Sequence, residues 1–301
     1  MAETTATFPI EAATTLVETA LREDLGGSRL EPDADLTAAT VVPAGLQTGA
    51  VVIARAAGVV AGLPAAGLVF ARLDRRVEFH PRVKDGDQVE VGAPVAEIRG
   101  PARALLAGER TALNLLQHLS GVATLTRAFV EAVAGTSARI TDTRKTTPGM
   151  RLLEKWAVRA GGGVNHRLGL HDAVLIKENH AASVGGVAAA VALARQALTR
   201  RGCTGIPVYA EARDLAEVRD LLVDPPDRVM LDNMSPAQLV EAVTLIRAAG
   251  IPVAIEATGG VTLSTVRSIA ATGVDLISIG ALTHSAPALD LSMLFDAAAA
   301  G

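Results

Sequence analysis

The apolar positions of this chain change their period along its length. Over 10–25, Ile10, Ala13, Leu16, Val17, Ala20, Leu21 and Leu25 recur at three- and four-residue spacing, which predicts an amphipathic helix. From 48 to 99 the runs AVVIARAAGVVAG, VEFHPRV and PVAEIRG are short and β-like, broken by KDGDQ and Gly92, and predict a small, mainly antiparallel sheet. A helix opened by Pro101 follows over 101–133, with Gly121 as a candidate break. From about 139 the rhythm changes again. ARITDT, AVLIKEN, PVYAEAR, RVMLDN, PVAIEATGG and DLISIGA alternate with LLEKWAVRA, VAAAVALARQAL, SPAQLVEAVTLIRAA and LSTVRSIAAT. Repeated strand–helix units predict a parallel sheet with right-handed crossovers. Six strands are visible, seven if the stretch before Asn165 counts. A closed or incomplete (β/α) barrel fits best, with a doubly wound sheet as the alternative.

Each strand of the second half ends in polar or glycine residues: Asp142–Lys145, Lys177–Asn179, Glu211–Arg213, Asp232–Asn233, Glu256–Gly260 and Gly280. Strand ends that merely meet solvent also attract charge. Six in succession instead suggest the shared C-terminal face on which barrel active sites form. Arg144, Lys145, His166, Arg167 and Lys177 supply positive charge there, and Glu211, Asp232 and Glu256 negative charge. Arginine holds planar carboxylates and phosphates bidentately, whereas lysine acts as a point charge. The carboxylates suit sugar hydroxyls or a divalent ion bridging phosphates. ATGG at 257–260 and IGAL at 279–282 follow the last two strands, where backbone N–H groups can approach an anion. In the long helix, Arg110, Asn114 and Gln117 form one polar stripe, either a solvated face or one that carries Arg110 toward a site.

Composition narrows the choice. Of 301 residues, 50% are hydrophobic and 20% charged, enough for a sizeable core and unlike a disordered chain. A net charge of −4 and an aromatic content of 2% leave no global basic field or stacking platform, so no nucleic-acid partner is expected. Cys203 is the single cysteine, which excludes an intramolecular disulfide and a cysteine metal cluster. MAETTATFPI lacks the basic start of a secretory signal, and the apolar segment 58–71 is short and broken by Gly and Pro. A cytoplasmic protein with no membrane partner is therefore expected. There is no P-loop, no H-E-x-x-H and no G-x-G-x-x-G; the GGG at 161–163 reads as a helix C-cap. His80, His118, His171, His180 and His284 lack metal-ligand spacing.

The stretch DTRKTTPGMRLLEKWAVRAGGGVNHRLGLHDAVLIKENH at 142–180 is similar to quinolinate phosphoribosyltransferases. GERTALNLLQHLSG, YAEARD, LDNMSP and EATGG match the same family in order, as do ALREDLG and DLT near the start. The resemblance spans essentially the whole chain. It departs at Trp156, where Tyr is common, at Thr258, where Ser is frequent but the hydroxyl is kept, and at Glu178, where Asp is frequent. The resemblance implies an N-terminal α/β sandwich domain over 1–118, an incomplete (β/α) barrel over 119–285 and a tail, 286–301, that packs back on the first domain. It implies a cytoplasmic homodimer with shared active sites. It also implies that quinolinate and 5-phosphoribosyl-1-diphosphate, with Mg²⁺, become nicotinate mononucleotide, diphosphate and CO₂ in NAD biosynthesis. By the same resemblance, Thr143, Arg144, His166 and Arg167 belong to the quinolinate-binding set, and Arg110 crosses the dimer interface. Lys145 and Lys177 meet phosphate and carboxylate groups. Glu211 and Asp232 lie near ribose hydroxyls and Mg²⁺, held through water or substrate. Thr258, Gly259 and Gly260, with Gly280, Ala281 and Leu282, form the 5′-phosphate loops.

Three other readings fit parts of the pattern. A metal-dependent barrel lyase or isomerase would use Glu211, Asp232 and Glu256 as ligands and Lys177 as base. A biotinyl- or lipoyl-like carrier would present Lys84 on the hairpin of 83–100. A paralogous transferase would use another pyridine, although Arg144, Arg167 and Arg110 favour a dicarboxylate.

Overall fold

The computed structural model describes residues 7–27 and 30–296; the first six residues of MAETTATFPI and positions 297–301 of the tail lie outside them. In chain order the elements are α1 (Ile10–Leu25), α2 (Leu36–Val41), β1 (Gln47–Ala54), β2 (Gly58–Val59), α3 (Leu63–Leu73), β3 (Glu78–Pro81), β4 (Gln88–Val89), β5 (Pro94–Pro101) and α4 (Ala102–Ala132). Then come β6 (Arg139–Thr141), α5 (Arg151–Ala160), β7 (Val174–Ile176), α6 (Glu178–Ala182), α7 (Val187–Arg200), β8 (Val208–Ala212) and α8 (Leu215–Leu221). The chain closes with β9 (Arg228–Asp232), α9 (Pro236–Ala248), β10 (Ala254–Thr258), α10 (Val266–Ala270), β11 (Leu276–Ser278), α11 (Ala281–His284) and β12 (Leu291–Phe295).

Two compact units result. The first runs up to Arg127 and takes in Thr146–Gly162 and the chain from Leu282 on. Its sheet is antiparallel, in the order β12-β1-β5-β3, and β2 pairs with β4. β1 buries Ala50, Val52 and Ala54 at period two, and α1 buries Ala13, Val17 and Leu21 at period four, so each element commits one face to the core. Each such side chain contributes about 1.5–3 kcal/mol when fully buried, less for the alanines. The tail strand β12 joins this sheet beside β1. Gln117 anchors it on both sides: its Nε2 donates to the Leu291 carbonyl at 2.7 Å, and its own carbonyl accepts from Leu289 at 3.0 Å. One of the three residues of the polar stripe on α4, Gln117, is therefore structural.

Gly121 does not break α4, which is continuous across it and across the expected boundary at 118/119. A Cβ at Gly121 would lie 2.1 Å from the Pro287 carbonyl oxygen, so the glycine serves a close backbone approach. LLEKWAVRA, expected as a crossover helix, becomes α5 of the first unit. Trp156 Nε1 donates to Asp85 at 2.6 Å, and Asp85 also accepts the Gly62 and Leu63 N–H groups that open α3, both at 3.0 Å. The turn beside Lys84 is thus built into the scaffold.

The second unit comprises Ala128–Lys145 and Gly163–Ala281. Six parallel strands lie in the order β6-β11-β10-β9-β8-β7. A single parallel bridge, Thr141 to Val164, is all that forms of the seventh strand before Asn165. The sheet curls as an incomplete (β/α) barrel, the arrangement the strand–helix rhythm predicts. Local chemistry sets its punctuation. Asp214 caps α8 by accepting from Ala216 and Glu217, and Ser235 with Gln238 forms a capping box ahead of Pro236 at the start of α9.

Candidate active site

Parallel strands bring their C-terminal ends to one edge, so the polar residues that follow β6–β11 share a face. Asp142, directly after β6, is fully buried. Its Oδ1 accepts the His166 backbone N–H at 2.8 Å, and its Oδ2 accepts the Asn165 amide at 2.6 Å. A buried carboxylate thereby sets the path of the segment that carries His166 and Arg167. The Thr143 hydroxyl accepts the Lys145 backbone N–H at 3.0 Å, which shapes the turn bearing Arg144.

Arg167 is part-buried and donates to the Ala173 carbonyl at 2.9 Å. Burial, then repulsion from the Arg144 guanidinium, lowers its pKa, with Asp172, Glu211 and Tyr209 opposing. Two guanidinium groups this close, one of them partly desolvated, offer a place for an anion between or beside them. Asp172 closes the turn after Arg167 by accepting the Leu168 and Gly169 N–H groups at 2.6 and 2.8 Å. Burial works to raise its pKa, but these N–H donors outweigh it and hold the carboxyl below its ordinary range.

Lys177, which follows β7, forms an ion pair with Glu211 at the end of β8. The Lys177 side chain is 52% exposed and that of Glu211 13%, so the lysine can turn to a ligand while the carboxylate stays fixed. Glu178 pairs outward with Arg213 at 2.6 Å. Asp232 ends β9, next to Thr258 at the end of β10. The Asn233 N–H donates to the Thr258 carbonyl at 2.9 Å with a left-handed φ of 55°. Gly259 has φ +96°, and a Cβ there would sit 2.3 Å from Asn233 Oδ1. The loop after β10 thus requires glycine on two grounds and leaves its backbone bare to a ligand. Gly280 and Ala281 follow β11 as partly exposed backbone; Leu282 is fully buried and belongs to the first unit, so its side chain is core.

Glu256 departs from the strand-end expectation. It lies inside β10, two residues before the end, and is fully buried. Its Oε2 accepts from Arg228 Nη1 at 2.6 Å. Strand alternation explains this: Tyr209 on β8, Arg228 on β9 and Glu256 on β10 point to the same side as Glu211, Asp232 and Thr258, but at deeper levels. The Arg228 guanidinium stacks on the Tyr209 ring at 4.3 Å, and His166 meets that ring edge-on at 5.6 Å. Burial raises the pKa of Glu256, against Arg228 and Ser278, and burial also raises that of Tyr209. The three-carboxylate metal scheme fails accordingly, because one of its members is committed to Arg228. Among the described residues, no group of three or more His, Cys, Asp or Glu side chains is arranged to hold a metal.

The strand ends thus gather Arg144, Arg167, Lys177 and Glu211, with Asp232 and the 258–260 loop on neighbouring strands. Arg110 is exposed on α4 of the first unit. Sequence reasoning missed the inner layer of Arg228 and Tyr209. Its signal was present as period two counted back from Asp232 and Glu211. It also passed over His118, whose Nε2 lies 2.8 Å from buried Glu154, which in turn accepts the Thr147 N–H at 3.0 Å.

Two arginines and a lysine gathered at the strand ends, with a glycine loop after β10, suit an enzyme that handles small phosphorylated, carboxylated anions on a (β/α) scaffold. Known proteins sharpen this class. Residues 122–294 match the C-terminal domain of quinolinate phosphoribosyl transferase, and residues 35–120 match its N-terminal domain. The chain belongs to the quinolinate phosphoribosyltransferase family. It is 41% identical over 287 residues to the nicotinate-nucleotide pyrophosphorylase [carboxylating] of Mycobacterium leprae, covering 94% of this chain and 97% of that one. It is 45% identical over 241 residues to the probable enzyme of that name from Synechocystis, covering 80% of each chain. The structure of the nicotinate-nucleotide pyrophosphorylase from Francisella tularensis superposes with a TM-score of 0.88 at 37% identity, covering 96% of this chain and 98% of that one.

Proposed function

We propose that this chain carries out the decarboxylating transfer of its family: quinolinate and 5-phosphoribosyl-1-diphosphate yield nicotinate mononucleotide, diphosphate and CO₂, a step of NAD biosynthesis. The observation that carries the assignment of roles is the closeness of Arg144 to Arg167, with Glu211 and Tyr209 also within electrostatic reach of Arg167. Two fixed guanidinium groups match two carboxylates on one pyridine ring better than one. Desolvation of Arg167 strengthens whatever anion replaces its lost water.

The pyridine nitrogen lone pair forms the bond to ribose C1 while the C1–O bond breaks and diphosphate departs with its electron pair. Residues that fix ring and sugar supply the orientation on which this displacement depends. Lys145 and Lys177 set positive charge against the leaving group, and Lys177 exchanges Glu211 for substrate as it does so. Glu211 and Asp232 then face the ribose hydroxyls, and the loop of Thr258, Gly259 and Gly260 offers N–H groups to the 5′-phosphate, with Gly280 and Ala281 beside it. Once the ring nitrogen is quaternary, the bond to its adjacent carboxylate breaks. CO₂ leaves, the electron pair remains on the ring carbon beside the positive nitrogen, and a proton completes the product. No protein nucleophile is needed.

The donor set also fits Mg²⁺. Glu211 and Asp232 are hard oxygen donors on neighbouring strands, and this ion typically takes one or two carboxylates plus substrate phosphates and water. When bound, it supplies charge against the diphosphate. We further infer a homodimer in which Arg110 reaches the partner's site, and a cytoplasmic location; among the described residues, no helix is long and apolar enough to cross a membrane. Turnover with quinolinate, against nicotinate as the monocarboxylate control, tests the assignment. Quinolinate alone should yield nicotinate mononucleotide; equal use of nicotinate would overturn it.

A further inference from the structure

Lys177 is carried by a segment with little apolar support. From Lys177 to Gly186, through α6, Ala181 alone is buried, and the run ends at Gly185 and Gly186 with φ +90° and +119°. Polar ties hold it instead. The Lys177 N–H donates to His180 Nδ1 at 3.0 Å, and Lys177 Nζ pairs with Glu211. The second of these is the tie given up when the lysine turns to substrate.

A neighbouring pair does not have to open. Glu178 Oε1 accepts from Arg213 Nη1 at 2.6 Å. Arg213 is in turn held by the first turn of α8. Glu217 Oε2 accepts its main-chain N–H at 2.8 Å, and Glu217 Oε1 accepts Nη2 at 2.7 Å and Nε at 3.2 Å. Asp214 fixes the Glu217 N–H at 2.9 Å. The guanidinium is therefore a preset arm, forked between α8 and Glu178. Ile176 lies level with Ala210, so the two ion pairs sit side by side at the ends of β7 and β8, with opposite polarity. Position 178 is also one at which the sequence departs from its family, and glutamate has one methylene more than aspartate with which to reach Arg213.

We propose that Arg213 is a positioning residue for Lys177, acting through Glu178: an outer latch between the ends of β7 and β8 that holds the lysine's segment while the inner Lys177–Glu211 pair opens to 5-phosphoribosyl-1-diphosphate. This deepens the proposed function, on which it rests for the identity of the ligand. The Arg213 and Glu178 side chains are 49% and 63% exposed, so the latch adds little to global stability. Its effect is local, on a segment with one buried side chain. A lysine on a held segment loses less freedom when the anion arrives.

The sign of one substitution decides. Glu178→Gln removes a negative charge beside an anion site, and Coulomb's law alone predicts tighter binding of 5-phosphoribosyl-1-diphosphate. The latch predicts weaker binding. In calorimetric titrations with Mg²⁺ present, Kd should rise about threefold in E178Q and by a similar factor in Arg213→Gln, the scale of one exposed ion pair. The double variant should be no worse than R213Q, because either change opens the same pair. In a Lys177→Ala background, E178Q should change Kd by less than about 1.5-fold, because the residue acted upon is gone. Tighter or unchanged binding in E178Q, single effects that multiply in the double variant, or the same loss with and without Lys177 would each overturn the proposal.

Hydrogen exchange in the unliganded full chain gives a second reading. The N–H groups of His180 and Ala181 donate to the Lys177 carbonyl at 2.9 and 3.0 Å. E178Q should speed their exchange about threefold and leave the amides of α8 unchanged. Unchanged exchange at His180 and Ala181 would overturn the latch. Failure of the wild-type protein to bind 5-phosphoribosyl-1-diphosphate would undo the proposed function alone, because exchange in the free protein still reports on the latch.

Discussion

Alanine at Gly259 is the sharpest probe of the loop after β10. The residue sits at φ +96°, and a Cβ there would lie 2.3 Å from Asn233 Oδ1 and 2.5 Å from its Cγ. The Asn233 main chain is fixed, since its N–H is bonded to the Thr258 carbonyl at 2.9 Å and its own φ is 55°, so relief must come from a side-chain rotation. Two costs therefore combine: about 1–2 kcal/mol for a left-handed non-glycine residue and about 1–3 kcal/mol for overpacking. Gly260 supplies the control, because it is also left-handed, at φ +59°, but a Cβ there would meet nothing within 4 Å. Gly260→Ala should cost the strain alone. Denaturant unfolding would read the part that appears as lost stability, and calorimetric titration with 5-phosphoribosyl-1-diphosphate the part that appears as lost affinity. Added together, the losses in Gly259→Ala should exceed those in Gly260→Ala by more than about 1 kcal/mol, the lower end of the overpacking range. Equal losses would refute the reasoning, because Gly259 carries both the wider φ and the contact with Asn233.

Further outcomes follow from the same geometry. Arg144→Ala and Arg167→Ala should each weaken quinolinate binding by at least about tenfold, as loss of a charged hydrogen-bonding partner does, and weaken 5-phosphoribosyl-1-diphosphate binding less; equal losses in titrations of the two ligands would count against the dicarboxylate site. Arg228→Met should destabilise the fold by about 3–5 kcal/mol by stranding Glu256. The carboxyl pKa is raised in the folded state by burial, so the folded state binds its proton more tightly; stability is highest below the ordinary value of 4.5 and is lost as pH rises toward the folded value. The damage in Arg228→Met should therefore be greater at pH 8 than at pH 5, and Glu256→Gln added to it should abolish that difference in urea unfolding. Arg110→Ala and Lys177→Ala, each inactive alone, should regain part of their activity when mixed and refolded together; no recovery would argue against sites shared across a dimer.

Much of this was legible in the residues because the information was local or periodic. The strand–helix rhythm from ARITDT to DLISIGA needs only period and punctuation, and it yields the six parallel strands in full. The polar strand ends are equally local, and Lys177 and Glu211 do meet. What escaped was set by depth along a strand. Glu256 looks like a strand-end acid until β9 and β10 are put in register, which sinks it two residues below Thr258, level with Met230 and within reach of Arg228. Arg228 itself reads as the solvated start of RVMLDN. Gly121 signalled a break only because Pro287, the reason for a glycine there, is distant in sequence. Helix α5 has a strong amphipathic pattern, but a pattern does not say which core receives it, and Trp156 turned to Asp85 settles that through a contact 71 residues away.

The central claim is a coupled transfer and decarboxylation, and one labelled substrate tests it. Quinolinate carrying ¹³C in the carboxylate next to the ring nitrogen would be supplied with 5-phosphoribosyl-1-diphosphate and Mg²⁺, and gas and nucleotide followed together. The account expects labelled CO₂, diphosphate and unlabelled nicotinate mononucleotide in equal amounts. Label retained in the nucleotide, or CO₂ released without the phosphoribosyl donor, would contradict it.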